Sequence, residues 1–144
     1  MKVKYSDLKN KRIFITGGGS GIGASIVEHF CEQGSEVYFV DIDLKETKKL
    51  LNKIKKNKFR TPTFIECNLL DINKLEKTIK NIIAKKGPIH ALINNAANDD
   101  RHTTDHVDEK YWENRMAINL KHYFFAAKAV VKSMKKMKAG SIVN

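Results

Sequence analysis

The sequence predicts an α/β chain: a doubly wound parallel sheet of about five strands with helices on both faces. Three observations carry that expectation. Short β-forming runs alternate with amphipathic stretches of helical period along the whole chain. A glycine cluster closes the first β run just where a helix begins. The chain has 144 residues, enough for one domain (1–144) with its own core. Strands joined through helices of this length make right-handed crossovers, and so a parallel sheet covered on both sides.

Each element follows from its residues. Arg12 to Thr16 is a short apolar run ending in glycines, the mark of a buried strand. Ser20 to Gln33 places Ile22, Ile26, Val27 and Phe30 at helical spacing, with Gly34 positioned to end the helix. Glu36 to Val40 is rich in β-formers and runs into Asp41. In Leu44 to Lys58, Leu44, Thr47, Leu50, Leu51 and Ile54 form one stripe and lysines fill the remainder, as in a helix with a solvated face. Thr63 to Glu66, after Pro62, is a third strand. Asp71 to Lys86 is a helix capped by Asp71, its apolar face made of Ile72, Leu75, Ile79, Ile82 and Ile83. Ile89 to Ile93 is a fourth strand, followed by a polar loop from Asn94 to about His106. One long helix is expected from Asp108 to Lys138, with Trp112, Met116, Leu120, Phe124, Ala127, Val131 and Met134 stepping along it by three or four. Ser141 to Val143 begins a fifth strand.

Composition narrows the classes of function. The net charge of +11 comes mostly from lysine on helix faces, while arginine, the usual base and phosphate reader, is rare. The charge is therefore read as solvated surface, with no nucleic-acid partner expected. No run approaches the roughly 20 apolar residues of a membrane span, and the first ten residues carry no secretory core. Cys31 and Cys67 have no metal spacing and no evident reason to pair. A reducing, cytoplasmic setting is expected.

In a doubly wound sheet a ligand sits beyond the carboxyl ends of the strands, where strand order reverses. After the first strand comes Thr16-Gly17-Gly18-Gly19-Ser20-Gly21-Ile22-Gly23, its key glycines Gly17, Gly21 and Gly23. A helix starting there offers free amides and a partial positive charge to a phosphate, with no Cβ in the way. Asp41 ends the second strand about 20 residues on, where an adenosine ribose hydroxyl is expected. Its carboxylate accepts from a 2′-hydroxyl and repels a 2′-phosphate, so NAD is expected over NADP.

These residues, with Asn94-Asn95-Ala96-Ala97 after the fourth strand and Asn119 in the long helix, resemble the short-chain dehydrogenase/reductase family over nearly the whole chain. The resemblance implies a Rossmann sheet and a nicotinamide cofactor. It assigns the pyrophosphate to Gly17, Ser20, Gly21, Ile22 and Gly23, counts Thr16 among the cofactor-binding residues, and assigns the adenosine ribose to Asp41, with Ile42 beside it. Asn68 stands where the family usually has an aspartate at the adenine amino group, with Leu69 beneath the ring. Asn95, Ala96 and Ala97 would lie along the nicotinamide ribose. The family usually has glycine at the position of Ala97; with a negative φ there the methyl is harmless. Asn119, expected to face inward, would help hold a water in a proton relay.

Within the family, the run Asn94 to His102, then Tyr111-Trp112 and Asn119-Leu120-Lys121-His122, resembles bacterial NAD-dependent aldose (xylose-type) 1-dehydrogenases. A sugar substrate is implied, with Asp99, Arg101 and His102 as candidate contacts on a polar loop suited to hydroxyl groups. The family's catalytic serine and Tyr-x-x-x-Lys pair would follow the fifth strand and do not occur there; of the usual catalytic set only Asn119 is present. The chain alone is expected to be inactive, and the full-length enzyme to be a homo-oligomer, commonly a tetramer. A 3-oxoacyl or other carbonyl reductase of the same family, or a non-catalytic NAD-binding module, are the alternatives.

Overall fold

The structure, a computed structural model, describes residues 3–144. Its strands are β1 (Arg12–Thr16), β2 (Glu36–Asp41), β3 (Thr63–Glu66), β4 (Ala91–Asn94) and β5 (Ser141–Val143). The helices are α1 (Gly21–Glu32), α2 (Leu44–Lys56), α3 (Ile72–Lys86), α4 (Glu109–Met116) and α5 (His122–Met137). The sheet order is β3-β2-β1-β4-β5, and every neighbouring pair is parallel. The predicted doubly wound fold is therefore observed.

Alternation along the strands builds two cores. Ile13 and Ile15 of β1 face one side with Val37 and Phe39, against Val27 of α1 and Leu50 and Ile54 of α2. Phe14 faces the other with Leu92, against Leu75 and Ile79 of α3 and Ala126 and Val130 of α5. All of these are buried, each large side chain contributing about 1.5–3 kcal/mol. Cys31 and Cys67 belong to opposite cores, and burial pushes both thiols up, Cys31 to about 12. Helix starts follow local chemistry. Asp43, Asp71 and Asp108 each accept a backbone N–H from the residue three positions on. Gly34 ends α1 with φ +79. Among the described residues no helix is long and apolar enough to cross a membrane.

The long helix departs from expectation in two ways. It is broken: a π turn, Ala117–Lys121, separates α4 from α5. Its buried face is also different. His122, Ala126, Val130 and Met134 meet the sheet, whereas Trp112, Met116, Leu120, Phe124 and Val131 of the predicted stripe are exposed. Apolar residues cover more of this helix than one packing face can use, and the extra residue of a π turn rotates the register by about 100°. Periodicity by itself could not choose between the two faces.

His122 is fully buried, with Nε2 3.3 Å from Thr16 Oγ1 at the end of β1. Burial pushes its pKa from 6.5 down to about 4, opposed in part by the Ile118 carbonyl. The unfolded chain thus takes up this proton first as pH falls. The stability that the neutral ring allows is complete above pH 6.5 and is lost as pH drops toward 4. Urea unfolding at pH 7 and pH 5 should show the effect. Replacing His122→Gln removes the titration, and roughly 2 kcal/mol of the wild-type loss at pH 5 should vanish with it.

Candidate functional site

Strand order reverses between β1 and β4, and the loops leaving their carboxyl ends part there around a crevice of 580 Å³. One wall is the turn from β1 into α1. The amides of Gly17 and Gly18 donate to the Val40 carbonyl at 2.9 and 3.2 Å, tying the turn to β2. A Cβ on Gly23 would lie 1.8 Å from the Gly17 carbonyl oxygen, so the helix starts directly against the turn. Gly21 differs: its φ is +52, and a Cβ there would meet nothing within 4 Å. Gly18 and Gly19, not singled out in the sequence, are also sterically required. The first packs on Phe39, the second on Thr47 and Asp41. Ser20 occupies the N-cap of α1, and its side chain does not take up the amides of the first turn. Ser20, Gly21, Ile22 and Gly23 line the crevice, with the positive end of the helix toward it.

Asp41 and Asn68 stand at the ends of the neighbouring strands. Asp41 Oδ2 accepts from the Gly19 amide at 2.7 Å, and Oδ1 from Ile42 and Asp43 at 2.7 and 2.9 Å. Three amides orient this carboxylate and leave about one of its four acceptor positions free. Ile42 beside it is exposed, as is Ile22 across the crevice. Asn68 Oδ1 accepts from the Leu70 amide at 3.0 Å and keeps a second lone pair; Leu69 is half-buried beside it.

Beyond β4, Asn95 Nδ2 donates to the carbonyls of Thr16 and Gly17 at 3.2 and 2.9 Å. Asn95, Ala96 and Ala97 all line the crevice. Ala97 is not among the described residues with positive φ, so its methyl is unstrained. Two expectations need correction. Thr16 does not reach the crevice; it is fully buried, and its hydroxyl oxygen accepts from the amides of Asn95 and Ala96 at 3.1 and 3.2 Å. Asn119 does not face a core. It lies exposed on the π turn and pairs with the Asn98 backbone, Oδ1 accepting at 2.8 Å and Nδ2 donating at 2.9 Å. The π turn swings it off the sheet-facing side of the helix.

The sequence reading missed Tyr123, whose hydroxyl donates to the Ala96 carbonyl at 3.2 Å, and His122 behind it. No motif marks either residue, because their partners lie 27 and 106 positions away along the chain. Of the three candidate substrate residues, Asp99 lines the crevice. Arg101 and His102 are exposed outside it, and His102 packs against Tyr111 in a tilted contact with ring centroids 4.3 Å apart. Asp100, which does line the crevice, is held by Arg115 at 3.2 Å. That hydrogen bond keeps its carboxyl below the usual range. The Tyr-x-x-x-Lys spacing at Tyr5 and Lys9 is remote. Tyr5 adjoins Glu28, His29 and Gln33 in the last turns of α1, the end of that helix away from the crevice.

The two glycines predict different penalties. Gly21→Ala meets only backbone strain, about 1 kcal/mol. Gly23→Ala must displace the Gly17 carbonyl and should cost several-fold more in a thermal melt. Equal costs would mean that the close approach is absent.

The profile of the short chain dehydrogenase family matches residues 11–144. The chain is 38% identical over 141 residues to a probable galactose dehydrogenase of Rhizobium meliloti, covering 98% of this chain and 55% of that protein. It is 39% identical over 140 residues to the D-xylose 1-dehydrogenase of Caulobacter vibrioides, covering 97% and 54%. Among solved structures, the aldohexose dehydrogenase of Thermoplasma acidophilum superposes with a TM-score of 0.82 at 27% identity, over 97% of this chain and 50% of that one. The chain thus spans about half the length of the curated relatives it matches. With the fold, the glycine turn and the match agreeing over nearly its full length, this chain belongs to the short-chain dehydrogenase family.

Proposed function

We propose that this chain binds NAD in the crevice between β1 and β4, as the nucleotide-binding portion of an enzyme oxidising an aldose at its anomeric carbon. The carrying observation is the Asp41 carboxylate, held by three amides next to the uncapped start of α1. That pairing suits the two ends of an adenosine diphosphate: a ribose diol at the carboxylate, a pyrophosphate at the helix. Gly21 leaves open space where the phosphates would approach, and 580 Å³ falls within the usual range for small-molecule sites. Asn68 and Leu69 would receive the adenine, and Asn95, Ala96 and Ala97 the nicotinamide ribose. Bound NAD supplies a hydride acceptor; the chain's own residues bind and orient it.

Charge supports NAD over NADP. Asp41, Asp99 and Asp100 line the crevice, and no lysine or arginine does so among the described residues. A 2′-phosphate would meet a fixed carboxylate with no cation to offset it. The sugar reading rests on the likeness to the galactose and xylose dehydrogenases, and on Asp99 and Asp100 at the crevice mouth. Asn119 would act by holding the Asn98 backbone along the substrate side. Because no tyrosine-lysine pair reaches the crevice among the described residues, residues 1–144 should bind cofactor without turning it over.

Titration of the chain with NADH, followed by its fluorescence, should show saturable binding that NADPH matches only weakly. Asp41→Ala should lose about tenfold or more in NADH affinity, the worth of a charge-assisted hydrogen bond, and narrow the gap to NADPH. A folded sample that leaves NADH unbound would refute the crevice assignment, and turnover of NAD with xylose or galactose would refute the inactivity.

A further inference from the structure

We infer that His122 is a positioning residue for the cofactor crevice: its neutral ring, protonated on Nδ1, accepts a hydrogen bond at Nε2 from the Thr16 hydroxyl and so leaves both lone pairs of that oxygen to the amides of Asn95 and Ala96. The relevance to cofactor binding rests on the reading proposed above; the hydrogen-bond assignment does not.

Valence decides the direction of these hydrogen bonds. A threonine hydroxyl has one proton and two lone pairs. Thr16 Oγ1 accepts from Asn95 N at 3.1 Å and from Ala96 N at 3.2 Å, which uses both lone pairs. Its one proton must then go to an acceptor, and His122 Nε2 lies 3.3 Å away. A ring protonated on Nε2 would offer a third donor to a full oxygen and leave the hydroxyl proton unplaced in a site with no access to water. Nε2 is therefore the bare nitrogen, and the ring proton sits on Nδ1. Nδ1 is buried with no hydrogen-bond partner, and the Ile118 backbone of the π turn favours the protonated ring without offsetting the cost of burial. The edge of the ring toward Tyr123 is packed at 86° to it with centroids 4.4 Å apart, which holds the imidazole plane.

The consequence lies in what the two amides do. Asn95 and Ala96 form the crevice wall facing the glycine turn, and a Cβ on Gly17 would lie 2.8 Å from Ala96 Cα. The two segments touch there, and the Thr16 hydroxyl ties the Asn95 and Ala96 amides to the end of β1 beside that contact. The same helix end holds the segment at two further points, Tyr123 to Ala96 and Asn119 to Asn98. His122 is the one of these three that reaches across to β1.

Nitrogen-15 NMR of the histidine rings at neutral pH tests the tautomer directly. The expected result is a proton on Nδ1 and a bare Nε2 for His122; a proton on Nε2 overturns the assignment. Amide exchange then tests the positioning. In His122→Phe the ring volume is kept and the acceptor removed. Exchange at Asn95 and Ala96 should quicken roughly tenfold, about one hydrogen bond's worth, while Phe39 in β2 stays as in the wild type. His122→Gln, which restores an acceptor, should return both amides to near the wild-type rate. Equal exchange in His122→Phe and wild type, or a uniform rise including Phe39, overturns the role. NADH affinity should fall in His122→Phe and recover in His122→Gln. If the wild type binds no NADH the cofactor reading fails, and the ring and exchange measurements still decide this one.

Discussion

The start of α1 rests directly on the turn that precedes it, with no room for a side chain between Gly23 and the Gly17 carbonyl. That contact is the constraint on which the site depends. It brings the positive end of a twelve-residue helix to the reversal point of the sheet, where the β1 and β4 loops part. Any larger residue would push the helix away from the crevice. The neighbouring glycines serve the same geometry from behind, letting the turn lie on Phe39 and on the carboxylate of Asp41.

A strongly basic chain surrounds a crevice whose charged lining residues are all acidic. Among the described residues the lysines lie elsewhere. Lys45, Lys48, Lys49 and Lys53 of α2 are exposed, and two of them pair with carboxylates, Lys49 with Glu46 and Lys53 with Glu28 of α1. Such pairs contribute little to stability but keep the surface solvated. A phosphate in the crevice would be met by amides and a helix end rather than by ammonium groups. This selects by geometry more than by charge, since amide donors hold fixed directions whereas a lysine head follows its ligand.

The second half of the site is built by packing between distant segments. The end of α5 and the π turn before it grip the loop after β4 through Asn119, Tyr123 and, by way of Thr16, His122. A π turn at this place has a function in the architecture. It breaks the helix so that one portion packs on the sheet while Asn119 turns toward Asn98. The exposed row from Trp112 to Phe124 lies on the other side of the same helix.

The sequence by itself determined what local chemistry governs. Strand and helix alternation, the glycine turn, the cap at Asp71 and the carboxylate that ends β2 all depend on residues within a few positions of one another, so pattern and spacing were enough to place them. Tertiary structure alone decided which of two apolar faces of the long helix meets the sheet, because a helix with apolar residues over most of its surface carries no preference until a neighbour is supplied. It decided likewise that Thr16 lies behind the crevice, that Asn119 is exposed, and that His122 is buried against a hydroxyl far away in the chain. The partner of a buried polar group is set by three-dimensional proximity, and spacing along the chain carries no record of it.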